Sequence, residues 1–181
     1  MIAIMIFVAI IAAYSCRSHN KAIKESVSTL IGSTIIFPDS LCAINNYQVE
    51  DKELLLLDNK MKFVMYIPSE TCSTCHISKL YLADTLFNII PSSSLVPVII
   101  IQPAIEQRDS IMLAIRNNWF EFPIFEDKTR QFMIENSNIP NDNLFYSFLL
   151  DKENQIIMIG DPTRNSKVMD LYIKILSEYA H

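Results

Sequence analysis

Cys72-Ser73-Thr74-Cys75-His76 constrains this chain more than any other segment, because it stands between the apolar run Phe63-Val64-Met65-Tyr66-Ile67 and a stretch patterned as a helix. Two thiols at a strand-to-helix junction read as a redox centre. On the first turn of a helix, residues three apart share a face, close enough to form a disulfide without moving the backbone. The first cysteine also meets the positive end of the helix dipole, where free backbone N–H groups favour a thiolate. Cys72 is therefore the expected nucleophile and Cys75 the expected resolving thiol.

Other chemistries are excluded by what the chain lacks. Gly32 and Gly160 are its only glycines, which rules out glycine-rich phosphate loops and dinucleotide fingerprints. A formal charge of -5 and the absence of any basic stripe argue against a nucleic-acid partner. The eight methionines are scattered, which gives copper handling little support. With half of its 181 residues apolar, the chain has ample material for a core.

Residues Ile2 to Ala13 are an unbroken apolar run, too short to span a bilayer comfortably. Ala13-Tyr14-Ser15-Cys16 follows and resembles the box of bacterial lipoproteins, in which the cysteine is lipidated and becomes the mature N-terminus. Tyr14 is bulky for that box, and no Lys or Arg precedes the apolar run. An uncleaved anchor and a plain secreted protein are the alternatives, and all three place the domain outside the cytoplasm. The expected organisation is a signal over residues 1–16, an N-terminal tether and extension over 17–46, and a main domain over 47–181. Cys42, a third thiol besides the pair, reads as a small buried hydrophobe without a role.

Within the main domain, Lys62 to Ile67 and Leu95 to Ile101 read as buried strands, the second continuous enough for a parallel sheet. Ser73 to Ile90 carries apolar residues at helical spacing, as does Ile105 to Asn117. Phe122-Pro123-Ile124-Phe125 suits an edge strand because of its proline, and Thr129 to Asn136 is a short helical piece. Trp119 and Phe120 read as packing at the junction before that strand. Tyr146 to Leu150 and Ile156 to Gly160 form a hairpin around Asp151-Lys152-Glu153-Asn154, and Ser166 to Tyr179 is a terminal amphipathic helix. The order predicts an α/β fold: a central mixed sheet with helices on both faces, closed by a C-terminal β-hairpin and helix.

With a Cys-x-x-Cys opening its first long helix and the hairpin Phe148 to Ile157 late in the chain, the sequence resembles the thioredoxin-like family. More narrowly, it is similar to membrane-tethered thiol-disulfide oxidoreductases of the bacterial cell envelope. The resemblance implies exchange between Cys72, Cys75 and the disulfides or thiols of proteins or small molecules. It implies a monomer without cofactor or metal, anchored by lipid at Cys16.

The chain departs from the family at three places. A cis-proline is usual just before the strand of Phe148 to Leu150, but Leu144-Phe145-Tyr146-Ser147 stands there; a non-proline cis bond costs about 2.5–4 kcal/mol, so a trans backbone is expected. Thr71 replaces the tryptophan before the first cysteine, and Tyr66 the buried acid of the preceding strand. Glu70 is a candidate proton relay in its stead, although a solvated loop carboxylate is the plainer reading. His76, four residues after Cys72, is a candidate tuner of the thiolate by charge or hydrogen bonding.

Three further readings compete. A degenerate thioredoxin-like lipoprotein would use a structural disulfide and act as a binding module. Cys72-Ser73-Thr74-Cys75-His76 also fits c-type haem attachment, with His76 and Met133 or Met158 on iron. Zinc at Cys72, Cys75 and His76 would need Cys42, His19 or His181 as a fourth ligand. Peroxiredoxin chemistry wants Pro-x-x-x-Thr-x-x-Cys, whereas Pro68-Ser69-Glu70-Thr71-Cys72 has the wrong spacing.

Overall fold

The computed structural model describes residues 20–44, 60–83, 86, 95–118, 120 and 122–179. The expected signal with Cys16, the domain boundary near Tyr47, His19, Trp119 and His181 lie outside the described residues. A helix α1 over residues 20–30 opens the described chain, followed by the two-residue strand β1 (Cys42–Ala43). Strand β2 (Met61–Ile67) leads into helix α2 (Ser73–Ile77), and β3 (Leu95–Ile101) into helix α3 (Arg108–Asn118). Then come β4 (Ile124–Glu126), α4 (Gln131–Glu135), the hairpin β5 (Ser147–Leu150) and β6 (Ile156–Ile159), and α5 (Ser166–Tyr179).

The sheet order is β1-β4-β3-β2-β5-β6, with β2, β3 and β4 parallel and the pairings of β1 with β4, β2 with β5 and β5 with β6 antiparallel. This is the mixed α/β sheet expected. Every residue of β2 is buried, as the centre of a two-sided sheet requires; its one charged residue, Lys62, donates through Nζ to the Lys60 carbonyl at 3.3 Å. Alternate side chains serve two cores. Phe63, Met65 and Ile67 face Ile77, Ile111, Ile115 and Tyr172 of α2, α3 and α5. Val64 and Tyr66 face Leu30 of α1 and Phe132 of α4. No helix among the described residues is long and apolar enough to cross a membrane.

Four expectations are corrected. Residues 20–44, read as extension, belong to the core: Leu30, Ile35 and Leu41 are buried in it. Asn136 clasps the Ile36 backbone from 100 residues away, accepting from its N–H at 2.8 Å and donating to its carbonyl at 2.7 Å. Consequently β4 is not an edge strand, since β1 pairs on its outer side; Pro123 is tolerated because it precedes the strand. Cys42 is exposed rather than buried.

The long helix from Ser73 also breaks early. Ser78 turns its hydroxyl onto the Thr74 carbonyl at 2.7 Å, and Lys79 N–H bonds the His76 carbonyl three residues back at 3.0 Å. That tightening hands the chain to a 3₁₀ turn, Leu80–Ala83.

Candidate active site

The site lies where β2 ends. Pro68 and Thr71 make the connecting turn, with the Thr71 N–H and hydroxyl both donating to the Pro68 carbonyl at 3.2 and 2.9 Å. Cys72 caps α2 in a non-helical conformation, and its carbonyl accepts from Cys75 N at 3.1 Å and His76 N at 3.2 Å. That turn brings Cys72 and Cys75 into a disulfide, with Cα atoms 5.2 Å apart. Both cysteines are exposed. Thr74 Oγ1 sits 3.5 Å from Cys72 Sγ, whereas the Ser73 hydroxyl is buried with no partner in the protein.

His76 projects into a small cavity lined by Met65, Thr71, Tyr146, Ser147, Asp161 and Arg164. Arg164 Nη2 lies 2.9 Å from His76 Nε2. A guanidinium has donors only, so Nε2 is the acceptor and the ring proton sits on Nδ1. Burial lowers the His76 pKa, the Arg164 cation lowers it further, and Asp161 partly opposes them. The imidazole is therefore neutral at neutral pH. Of the two routes by which His76 was expected to tune the thiolate, charge is withheld in this form. Asp161 in turn holds Arg164 Nε at 3.1 Å and accepts from the backbone and hydroxyl of Thr163.

Glu70 is exposed, and its charged neighbour is Arg130 at 3.9 Å. Tyr146 occupies the expected proline position, and no cis peptide occurs among the described residues. Its ring meets Tyr66 edge-on at 5.5 Å, and its hydroxyl donates to Asn141 at 2.5 Å. Burial raises the pKa of both phenols, more strongly for Tyr66, whose hydroxyl donates to Gln102 at 2.9 Å. Neither is a base at neutral pH.

The residues do not suit haem. His76 Nε2 is engaged by Arg164, and Met133 and Met158 are buried in different cores on opposite faces of the sheet. Nor do three or more His, Cys, Asp or Glu side chains gather in a metal-binding group among the described residues.

No protein-family model and no curated protein matches the chain. Solved structures do. A candidate thiol:disulfide interchange protein DsbE from Chlorobium tepidum superposes with a TM-score of 0.56 at 15% identity, covering 81% of this chain and 96% of the other. The thioredoxin domain of a thiol-disulfide oxidoreductase from Bacteroides vulgatus gives 0.51 at 13% identity, over 78% and 97%. The chain has the thioredoxin fold. A Xanthomonas campestris peroxiredoxin Q variant is comparably near, with a TM-score of 0.54 at 13% identity over 83% of this chain and 99% of that one. A thioredoxin fold thus hosts more than one thiol chemistry, and the choice rests on the site.

Sequence reasoning singled out Cys72, Cys75 and His76, but not Arg164 and Asp161, which the structure sets beside His76. They stand in the turn Asp161-Pro162-Thr163-Arg164 after the hairpin, 88 residues from His76, and nothing local marks them as site residues.

Proposed function

We propose that this protein is a thiol-disulfide oxidoreductase of the bacterial cell envelope that works through Cys72 and Cys75. The observation that carries the reading is an exposed disulfide across the first turn of α2, at the C-terminal end of the central strand of a thioredoxin fold. Exposure matters because exchange requires in-line access of a thiolate to a sulfur.

In the reducing direction the Cys72 thiolate attacks one sulfur of a substrate disulfide, and the other leaves as a thiolate that takes up a proton. Cys75 loses its proton and attacks Cys72 in the mixed disulfide. The second substrate thiolate then departs, leaving the disulfide seen here. The oxidising direction is the reverse, with a dithiol substrate supplying two electrons and two protons. Partners are protein or small-molecule disulfides and thiols.

Replacement of Cys75 with Ser removes the resolving thiol, and the expected result is a mixed disulfide at Cys72 that a thioredoxin control also forms. No adduct under conditions where the control forms one would overturn the reading. The place of Tyr146 favours one second reading, a binding module with a structural disulfide. A reduction potential below about -300 mV would support that module, and one between about -270 and -120 mV the exchange catalyst.

The envelope location rests on residues 1–16. Cys16 stands four residues before Asn20, where the described chain begins, so a lipid there would keep the folded domain at the membrane surface. Metabolic labelling with a radioactive fatty acid should mark the chain and not its Cys16→Ala variant.

A further inference from the structure

We propose that Arg164 is a positioning residue for the redox pair and acts through His76: its hydrogen bond to Nε2 holds the imidazole neutral and so keeps a positive charge away from the Cys72 sulfur. The inference rests on the proposed exchange role of that pair and names what sets its redox poise.

Geometry carries the argument. The His76 backbone N–H bonds the Cys72 carbonyl at 3.2 Å, so the two residues stand one helical turn apart, the spacing at which side chains of a helix are neighbours. A hydrogen bond from an arginine to an imidazole nitrogen exists only while that nitrogen keeps its lone pair. The Arg164 contact and a cationic His76 are therefore mutually exclusive. Asp161 holds the guanidinium in place from its other side, at 3.1 Å, and makes the Asp161 and Arg164 pair neutral as a unit.

The other groups around His76 do not replace this control. Lys79, on the same segment, disfavours protonation, as Arg164 does. Tyr66 from β2 and Tyr146 from the segment before β5 remain protonated phenols, and Thr71, Ser147 and Asn143 carry no charge. Removing the guanidinium leaves burial and Lys79 opposed by Asp161, the one carboxylate acting on the ring, and so shifts the balance toward the imidazolium. An imidazolium one turn from Cys72 stabilises its thiolate, and a stabilised thiolate makes the disulfide more oxidising. Arg164 thus biases the pair toward the reducing end.

The test uses the full chain and its Arg164→Gln, His76→Asn and doubly substituted variants. Imidazole 15N spectra of the oxidised protein, with His76→Asn giving the assignment, should show Nε2 unprotonated in the parent and a higher titration midpoint for His76 in Arg164→Gln. After reduction, the rate of Cys72 alkylation against pH, mapped by mass, should show about a threefold or greater rise in thiolate fraction below its midpoint in Arg164→Gln, half a pH unit or more. In the His76→Asn background the Arg164 change should add nothing, because the cycle isolates the coupling between the two. A proton on Nε2 in the parent, an unmoved alkylation profile in Arg164→Gln, or the same shift in both backgrounds would each overturn the proposal. These titrations need no substrate, so they stay readable if Cys75→Ser traps nothing and the exchange reading fails.

Discussion

Replacing Asn136 with Ala should unfold the clasp that binds residues 20–44 to the sheet. Its side chain is 2% exposed and makes three hydrogen bonds, to Ile36 N–H, Ile36 C=O and Phe132 C=O at 2.7–2.8 Å. The Phe132 carbonyl keeps a partner in the Asn136 backbone N–H at 3.1 Å, so two groups are orphaned, both on Ile36. An unsatisfied buried polar group costs about 1–3 kcal/mol, which puts the pair at about 2–6 kcal/mol. The Ile36 residue is 52% exposed, so water reaches part of that backbone and the lower half applies, about 2–4 kcal/mol. With a urea m-value of about 2 kcal/mol/M, the middle of the range for small proteins, the unfolding midpoint should fall by roughly 1–2 M. Asn138→Ala is the control, since Asn138 is exposed and holds Ser33 Oγ only at 3.3 Å; its effect should stay within about 0.5 kcal/mol. Equal midpoints for Asn136→Ala and Asn138→Ala would show that the clasp does not anchor the N-terminal segment.

Gly160 and Gly32 offer a matched pair. Both have positive φ, but a Cβ at Gly160 would stand 3.1 Å from Val168 Cγ1, whereas nothing lies within 4 Å at Gly32. Thermal melts should show Gly160→Ala losing about 2–4 kcal/mol and Gly32→Ala about 1 kcal/mol. Stability should fall at both pH extremes in urea titrations. The His76 pKa is lower folded than unfolded, so the unfolded chain binds the extra proton and stability declines as pH drops below about 6.5. Buried Tyr66 and Tyr172 have raised pKa values, so stability present below about pH 10 is lost as pH climbs above it. In the oxidised protein iodoacetamide should label Cys42 and spare Cys72 and Cys75, as peptide masses will show.

What was legible in the sequence is what repeats locally. The runs of β2 and β3, the turn residues of the β5 and β6 hairpin and the apolar spacing of α5 each state their structure within ten or fifteen residues. The redox pair was legible because strand, thiols and helix are contiguous. Contacts across the chain leave no such trace. Leu30, Ile35 and Leu41 sit in short apolar runs of a mixed segment, and only their packing against distant residues of the sheet and α4 shows that they are core. Pro123 signalled an edge, yet β1, a strand of two residues, covers it and is too short to announce itself. His76 was visible, but the Arg164 bonded to its Nε2 comes from a turn whose local pattern accounts fully for its residues.

In the proposed exchange cycle, the same distance effect decides how Cys75 would lose its proton during resolution. In the position expected to hold a buried acid, Tyr66 is a protonated phenol bonded to Gln102. Glu70 is exposed and faces Arg130, and the lone pair of His76 is directed at Arg164. Among the described residues none of these groups is placed to take the proton, whereas Cys75 itself is open to water. Solvent is then the acceptor, and the resolving step depends on the thiolate fraction of Cys75 alone. Below the thiol pKa that fraction rises tenfold per pH unit, so resolution of a preformed mixed disulfide on Cys72, followed by stopped flow, should accelerate about tenfold per unit between pH 5 and 7. A rate that levels off within that range would mean that a group of the protein takes the proton or that Cys75 is already a thiolate, and either contradicts this account of the site.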